Sequence, residues 1–294
     1  MLAPERISEL CGRSAQKMER LRALVRAQGS AVVAFSAGVD STFVLKVAVD
    51  ELGERAVALT ALSPSMAPEE QREAEELAKR LGARWIAVQS EEIANPSYAA
   101  NPENRCYFCK TELYTVCERK RDELGLSAIL DGFNADDLRD FRPGRQAALE
   151  HRTLSPLAEV GLTKDEIRAW SQRLGLPTWD KPQMACLASR IPYGTAVTSD
   201  RLMQIALAES DLRRLGFRIF RVRYHGEVAR LEISAGEYPR LQSQELRAEV
   251  DRALKARGFR FVAVDLEPFR SGKMNDARKG AGAPGEALPL PVVE

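Results

Sequence analysis

Apolar residues along this chain fall into two kinds of run, and the two alternate. Short runs of small and β-branched apolar residues cover 31–35 (AVVAF), 55–62 (RAVALTAL), 84–88 (RWIAV) and 127–131 (SAILD). Such runs predict strands buried on both faces. Between them, apolar positions recur every three or four residues, which predicts helices over 15–28, Thr42 to Leu52, Pro68 to about Leu81 and roughly Lys110 to Leu124. Strands alternating with helices predict a parallel sheet covered on both sides. Ligands of such sheets bind outside the carboxyl ends of the strands, where strand order reverses. The loops after the first, second and fourth strands are therefore expected to face one cleft.

Further along, Thr163 and Glu166 have capping-box spacing and Gly175 supplies a stop, which predicts a helix between them. Residues 176–198 contain Pro177, Pro182, Pro192 and Gly194 and read as a long irregular loop. The pattern then changes to a helix over about 199–215, strands over 218–224 and 228–234, a helix near 244–257 and a last strand over 259–266. The expected organisation is a parallel-sheet, Rossmann-like α/β domain over 1–192, a smaller α/β domain over 193–275, and a tail over 276–294. That tail is rich in Gly, Ala and Pro and is expected to be disordered. No internal repeat is visible.

Composition narrows the class of function. A chain of 294 residues with 45% hydrophobic and 29% charged residues is ordinary for a globular protein of about two domains. A net charge of +1 gives no global electrostatic case for nucleic acid or an anionic membrane. No apolar run approaches membrane-spanning length, and the N-terminus carries charges where a secretory core would be apolar. A cytoplasmic location is expected. The five cysteines are unevenly clustered, and in a reducing compartment that favours metal binding or catalysis over disulfides.

The chemistry starts at residues 31–41, AVVAFSAGVDS. A strand that opens through Ser36, Ala37 and Gly38 into a helix start gathers unpaired backbone N–H groups, which bind phosphate. The run is neither G-x-x-x-x-G-K-[ST] nor G-x-G-x-x-G. Its pattern S-x-G-x-D-S resembles the pyrophosphate loop of the N-type ATP pyrophosphatases, which split ATP between the α and β phosphates. Ala37 stands where that family usually has a second glycine, and alanine tolerates φ > 0 less well. Asp40 has two readings, a holder of a divalent cation or a helix N-cap.

Cys106 and Cys109 form C-x-x-C within NRCYFCK. On its own the pair reads as half a zinc site, a redox pair, part of an iron–sulfur site, or two packed thiols on a loop before a helix. Cys186 lies between Lys181 and Arg190, cations that favour a thiolate, and it also reads as a core residue. Cys11 and Cys117 match no motif, and Cys117 is most simply core.

Four separated segments then occur in a telling order: the pyrophosphate loop, NRCYFCK, DGFNADDLRDFRPG (131–144) and MACLASRIPYG (184–194). Together they resemble the LarE family, ATP-dependent sulfur transferases that build the nickel-pincer nucleotide cofactor of lactate racemase. The likeness spans about residues 15 to 275 and includes RVRYHGEVARLEI and VDLEPFRSGKMN. It implies that a carboxylate of a pyridinium dicarboxylate mononucleotide attacks the α-phosphate of ATP. A sulfur nucleophile then displaces AMP to leave a thiocarboxylate. One form of the family sacrifices the sulfur of a cysteine at the position of Cys186. The three-cysteine form, which this chain resembles, implies a [4Fe–4S] cluster on Cys106, Cys109 and Cys186 with one iron open for an extra sulfide.

The resemblance also implies roles for other residues. Ser36, Gly38, Asp40 and Ser41 are expected at the ATP phosphates, directly or through Mg²⁺. Leu59 to Ser63 is expected at the adenine, and Gly132 and Asn134 at the nucleotide. Asp136 and Asp137 read either as metal or ribose ligands or as a solvated acidic turn. Arg221 and Arg223 alternate on one strand and are expected to clamp a substrate phosphate; the competing reading is the charged outer face of a half-exposed sheet. Arg190 is expected to orient a substrate carboxylate or neutralise the cluster, against an ordinary surface salt bridge. A homo-oligomer is implied, with a hexamer the assembly the resemblance suggests. Two other readings stay open: a tRNA-thiolating enzyme of the same superfamily, and a non-catalytic ATP sensor.

Overall fold

A computed structural model describes residues 3–138, 143–182 and 185–270. The predicted tail, and parts of the segments 131–144 and 184–194, lie outside them. The described chain divides into two compact units, one formed by 1–188 with 193–203, the other by 189–192 with 204 onward.

The first unit opens with α1 (Pro4–Arg13) and α2 (Ala15–Ala27) and then alternates strand and helix. β1 (Ala31–Ala34) leads to α3 (Val39–Leu52), β2 (Ala56–Leu62) to α4 (Pro68–Arg80), and β3 (Arg84–Gln89) to the short α5 (Pro96–Ala99) and the long α6 (Arg105–Glu123). β4 (Ala128–Leu130) is followed by α7 (Pro143–Glu150), α8 (Pro156–Glu159) and α9 (Lys164–Arg173). The strands run parallel in the order β3-β2-β1-β4, with Ala31 beside both Ala56 and Ala128. The chain steps outward from β1 to β3 and then returns to β1's other side, so strand order reverses between β1 and β4.

Alternate residues of β1 feed opposite cores, as a doubly covered sheet requires. Ala31 and Val33 pack with Val25, Phe43, Val47 and Ile167 on one face. Val32 and Ala34 pack with Tyr114, Cys117 and Ala147 on the other. Thr163 and Glu166 form the expected capping box, and the Glu166 carboxylate also accepts from Lys17 Nζ at 2.8 Å. Cys11 and Cys117 are both buried.

In the second unit the later part of α10 (Ser199–Arg214) is followed by β5 (Phe220–His225), β6 (Val228–Ile233), α11 (Gln244–Lys255) and β7 (Phe261–Val264). β5 and β6 are antiparallel, while β6 and β7 are parallel across the α11 crossover. Leu212, Phe220, Val222, Leu231, Val250 and Leu254 form its core.

One expectation needs correction. The helix predicted from Lys110 begins five residues earlier, at Arg105. Cys106 and Cys109 therefore occupy the first turns of a 19-residue helix and not a loop before it. A Pro102–Asn104 turn without a capping side chain gives no sequence signal for that start. No described helix is long and apolar enough to cross a membrane.

Candidate functional site

The carboxyl end of β1 opens into a tight loop at Ser36–Gly38. Ala37 adopts φ +53°, the left-handed conformation that glycine takes without strain. Ser41 Oγ closes the loop, lying 3.2 Å from Ser36 Oγ and 3.3 Å from the Gly38 carbonyl, to which it donates. Gly38 is the N-cap of α3, so Asp40 is the helix's second residue and not its cap. The first amides of α3 have no side-chain cap and point, with the positive end of the helix dipole, into the loop.

Asp40 is paired through Oδ2 with Lys164 Nζ, while its buried Oδ1 has no hydrogen-bond partner. Burial raises its pKa, and the Lys164 ammonium opposes that rise. Lys181 donates to the Ala37 carbonyl at 3.1 Å and to Glu73 at 2.8 Å. Lys181 is therefore committed to the loop and to α4, away from the role of activating Cys186.

Gly132 follows β4 and presses on the same loop. A Cβ there would stand 3.0 Å from the Ser41 amide nitrogen and 3.3 Å from the Asp40 carbonyl carbon. The residues after β1 and β4 thus meet where strand order reverses. Asn134 is buried, and its Oδ1 accepts from the Asp136 amide at 2.9 Å. Asp137 accepts from the Asn134 amide at 3.1 Å, and Asp136 from the Lys164 amide at 2.8 Å. These carboxylates order a turn. In β2, the Leu59 carbonyl accepts from Phe35 N and the Leu62 carbonyl from Ser90 N, both at 2.8 Å.

The loops after β2 and β3 carry a polar cluster. Glu92 is buried; its Oε1 accepts from Ser65 Oγ at 2.6 Å and from Ser63 Oγ. Its carboxylate also reaches Cys109, whose thiol is raised well above its ordinary value by burial, by the Glu92 charge and by Cys186. Leu187 N donates to the Ser65 carbonyl at 2.8 Å, so the segment bearing Cys186 is fixed to the same loop. Cys106 and Cys186 are exposed and Cys109 is partly buried. Among the described residues, no three His, Cys, Asp or Glu side chains are gathered as ligands of a single metal ion.

In the second unit three arginines share a buried polar cluster. Arg221 and Arg223 are only 7% and 6% exposed, which removes the half-exposed-face reading. Arg190 is no surface residue either: its Nε and Nη2 donate to the two oxygens of buried Glu209 at 2.9 and 3.0 Å. Arg223 pairs with buried Glu232 at 2.7 Å and donates to the Ser189 carbonyl at 2.7 Å. Arg221 donates to the Phe220 carbonyl at 2.7 Å and lies over the Phe269 ring. Burial, and then Arg190, push its pKa down to about 10. Buried guanidinium groups and the buried Glu209 and Glu232 carboxylates thus form one polar cluster among the described residues.

Comparisons with known proteins agree with this geometry. A family model described as NAD synthase matches residues 15–123, which include the β1 loop and the C-x-x-C pair. An uncharacterised protein of Synechocystis is 47% identical over 259 residues, 88% of this chain and 97% of that protein. The pyridinium-3,5-bisthiocarboxylic acid mononucleotide synthase of Lactiplantibacillus plantarum is 37% identical over 266 residues, 89% of this chain and 95% of the synthase. The chain belongs to the family of that synthase. An uncharacterised protein of Methanocaldococcus jannaschii is 25% identical over 240 residues, 82% of this chain and 90% of its own length.

Within this synthase family, and the NAD synthase-like ATP pyrophosphatases that contain it, the chain is an enzyme and ATP is its co-substrate. Sequence reasoning passed over Lys164, Glu92 and Ser65, and gave Ser63 only as the end of the adenine segment. Lys164 follows the capping Thr163, where a lysine reads as an exposed first-turn residue; its partner Asp40 is 124 positions away. Glu92 lies in a three-residue turn whose apolar pattern is too short to read.

Proposed function

We propose that this chain is an ATP-dependent sulfur transferase acting on a pyridinium dicarboxylate mononucleotide. A substrate carboxylate oxygen bonds to the α-phosphorus of ATP as the bond to the β-phosphate oxygen breaks, and pyrophosphate leaves. A sulfur nucleophile then attacks the acyl carbon of the adenylate. The acyl–oxygen bond breaks, AMP departs with the electron pair, and a thiocarboxylate remains. A carboxylate is a poor electrophile; adenylation turns its oxygen into a good leaving group and suits it to a soft nucleophile.

The observation that carries the reading is that one unit joins a pyrophosphate-type loop to three cysteines at the carboxyl end of its sheet. The amides at the start of α3 and the Ser36 and Ser41 hydroxyls suit the leaving pyrophosphate. Asp40, with one buried oxygen lacking a hydrogen-bond partner, suits a cation. It would hold Mg²⁺, which when bound offsets the charge of the departing group. Gly132 and Asn134 would border the nucleotide. The buried guanidinium groups of Arg190, Arg221 and Arg223 suit the substrate's phosphate and carboxylates.

The donor set also fits a sulfur-carrying cluster in kind. Cys186 adds to the forces that disfavour the Cys109 thiolate, and a multi-iron cluster needs its ligands farther apart than a single ion does. Cys106, Cys109 and Cys186 would hold a [4Fe–4S] cluster, which when bound supplies a sulfide for transfer.

Anaerobic reconstitution with iron and sulfide tests this, with wild type beside Cys106→Ala, Cys109→Ala and Cys186→Ala. A cluster in wild type, lost in each variant, and AMP formation that requires the pyridinium substrate are expected. Full cluster content in all three variants overturns the ligand set. Loss of one sulfur mass from Cys186 in a single turnover replaces the cluster with self-sacrifice. AMP formation that requires tRNA, or ATP binding without AMP, overturns the substrate.

A further inference from the structure

Arg105 is the first residue of α6 and immediately precedes Cys106. Its side chain is only 4% exposed, yet no carboxylate lies within ion-pair distance among the described residues. Buried arginine is ordinarily paired with an acid, as Arg190 is with Glu209 in this same chain. Here the donors go elsewhere. Nη1 donates to the Ala188 carbonyl at 3.0 Å, two residues beyond Cys186, and to Asn101 Oδ1.

Asn101 extends the arrangement. It is fully buried with φ +56°. Its Nδ2 donates to the Thr195 carbonyl at 2.9 Å, and its own carbonyl accepts from Gly194 N at 3.0 Å. Leu187 N is bonded to Ser65 and Val197 N to the Ala99 carbonyl, each at 2.8 Å. Cys186 itself stands in neither helix nor strand. With no ladder of its own, its backbone takes its position from these cross-links. Among the described residues, the Arg105 side chain bonds this loop to the cysteine-bearing helix.

We propose that Arg105 is a positioning residue that clamps the Cys186 loop onto the start of the Cys106/Cys109 helix and so sets the spacing of the three thiols. Its purpose rests on the sulfur-transfer reading, but the spacing belongs to the chain and is measured without ATP, iron or substrate. The guanidinium suits the task because it is rigid, holds several donors and keeps its charge when buried.

The test uses the full chain, reduced and freed of metal by a chelator, and treated with dibromobimane, a short reagent that bridges two nearby thiols. Peptide mapping separates a helix-to-loop bridge, joining Cys186 to Cys106 or Cys109, from the Cys106–Cys109 bridge within the helix. Arg105→Met is expected to lower the helix-to-loop yield at least tenfold while the intrahelical yield stays within twofold. Arg105→Gln keeps a donor for the Ala188 carbonyl and is expected to recover part of the lost bridge. Asn101→Gly keeps the left-handed backbone but removes the side-chain bonds; a several-fold loss is expected, which covers the case in which Arg105→Met fails to fold. A helix-to-loop yield within twofold of wild type in Arg105→Met or Asn101→Gly overturns the clamp, as does a parallel loss of both bridges in folded protein. A wild-type chain that bridges as expected but never binds a cluster sinks the sulfur-donor reading and leaves the clamp standing.

Discussion

Replacing Glu209 by glutamine removes one charge from the most deeply buried ion pair of the second unit. Glu209 and Arg190 side chains are each 1% exposed, and two parallel bonds of 2.9 and 3.0 Å join them. Glu209 also accepts from the Val222 amide at 3.1 Å, which ties the pair to β5. Glutamine keeps the volume and one acceptor for Val222. It leaves Arg190 without its carboxylate beside Arg221, whose proton is already loosened by burial and by Arg190 itself. Breaking one side of a buried pair costs about 3–5 kcal/mol, because the remaining charge stays desolvated. That is a large part of a stability of roughly 5–15 kcal/mol.

The three tryptophans, Trp85, Trp170 and Trp179, all lie in the first unit, so tryptophan fluorescence is the wrong probe. Hydrogen exchange of a peptide covering 220–225 reads the affected strand directly. At about 1.4 kcal/mol per factor of ten, exchange there should quicken by roughly 10²-fold to a few thousand-fold. A double variant, Arg190→Met with Glu209→Leu, should recover most of the loss, since exchanging both partners for apolar groups is often neutral. The sign with pH is also fixed. Burial opposes the Glu209 charge, but Arg190 overcomes it and holds the folded pKa below the ordinary 4.5. Its contribution is therefore fully present above that value and lost as pH falls through the lower folded value. Glu209→Gln should remove that part of the acid slope. Exchange within about fivefold of wild type would refute the argument.

Two further outcomes are expected at the β1 loop. Gly132→Ala would press a Cβ against the Ser41 amide and the Asp40 carbonyl carbon, backbone atoms that move only with the start of α3. A loss of about 1–3 kcal/mol and a rise in KM for ATP of about tenfold follow, read by urea denaturation and by ATP titration of pyrophosphate release; unchanged values for both contradict the close approach. Ala37→Gly relieves about 1–2 kcal/mol of left-handed strain against about 0.4–1 kcal/mol of added unfolded-state freedom. It should leave stability unchanged or raise it by up to about 1.5 kcal/mol, and a lower Tm would show that the φ of +53° carries no strain.

The parallel sheet was legible because its signal is local. β1, β2 and β4 are buried apolar runs that need no alternation, while β3, expected to be buried on both faces, is a partly exposed edge strand; all four still fall within one or two residues of expectation. The pyrophosphate loop was legible because its residues are contiguous, and Ala37 took the conformation its position demanded. The start of α6 was hidden because Asn104 makes no capping bond and the first helical turns hold Cys, Tyr and Phe, weak helix formers. Buried charge was the least legible feature. Arg190 meets Glu209 19 positions away on α10, and Arg223 meets Glu232 across a strand pair whose register the sequence does not print.

Buried charges are met in two different ways in this chain. Glu209 and Glu232 each have a guanidinium partner, and Lys17 meets Glu166; those charges are satisfied within the chain. Around the cysteines the pattern differs. Glu92 is buried against two hydroxyls and a thiol, and Arg105 against a carbonyl and an amide oxygen. Neither has an opposite charge within ion-pair distance among the described residues, although pairing is the usual condition for burying either group. A buried carboxyl group and a buried guanidinium, neither ion-paired among the described residues, are costly as scaffold beside three thiols. They suit a corner of the sheet where the thiols take up something charged, as the proposed sulfur transfer would require.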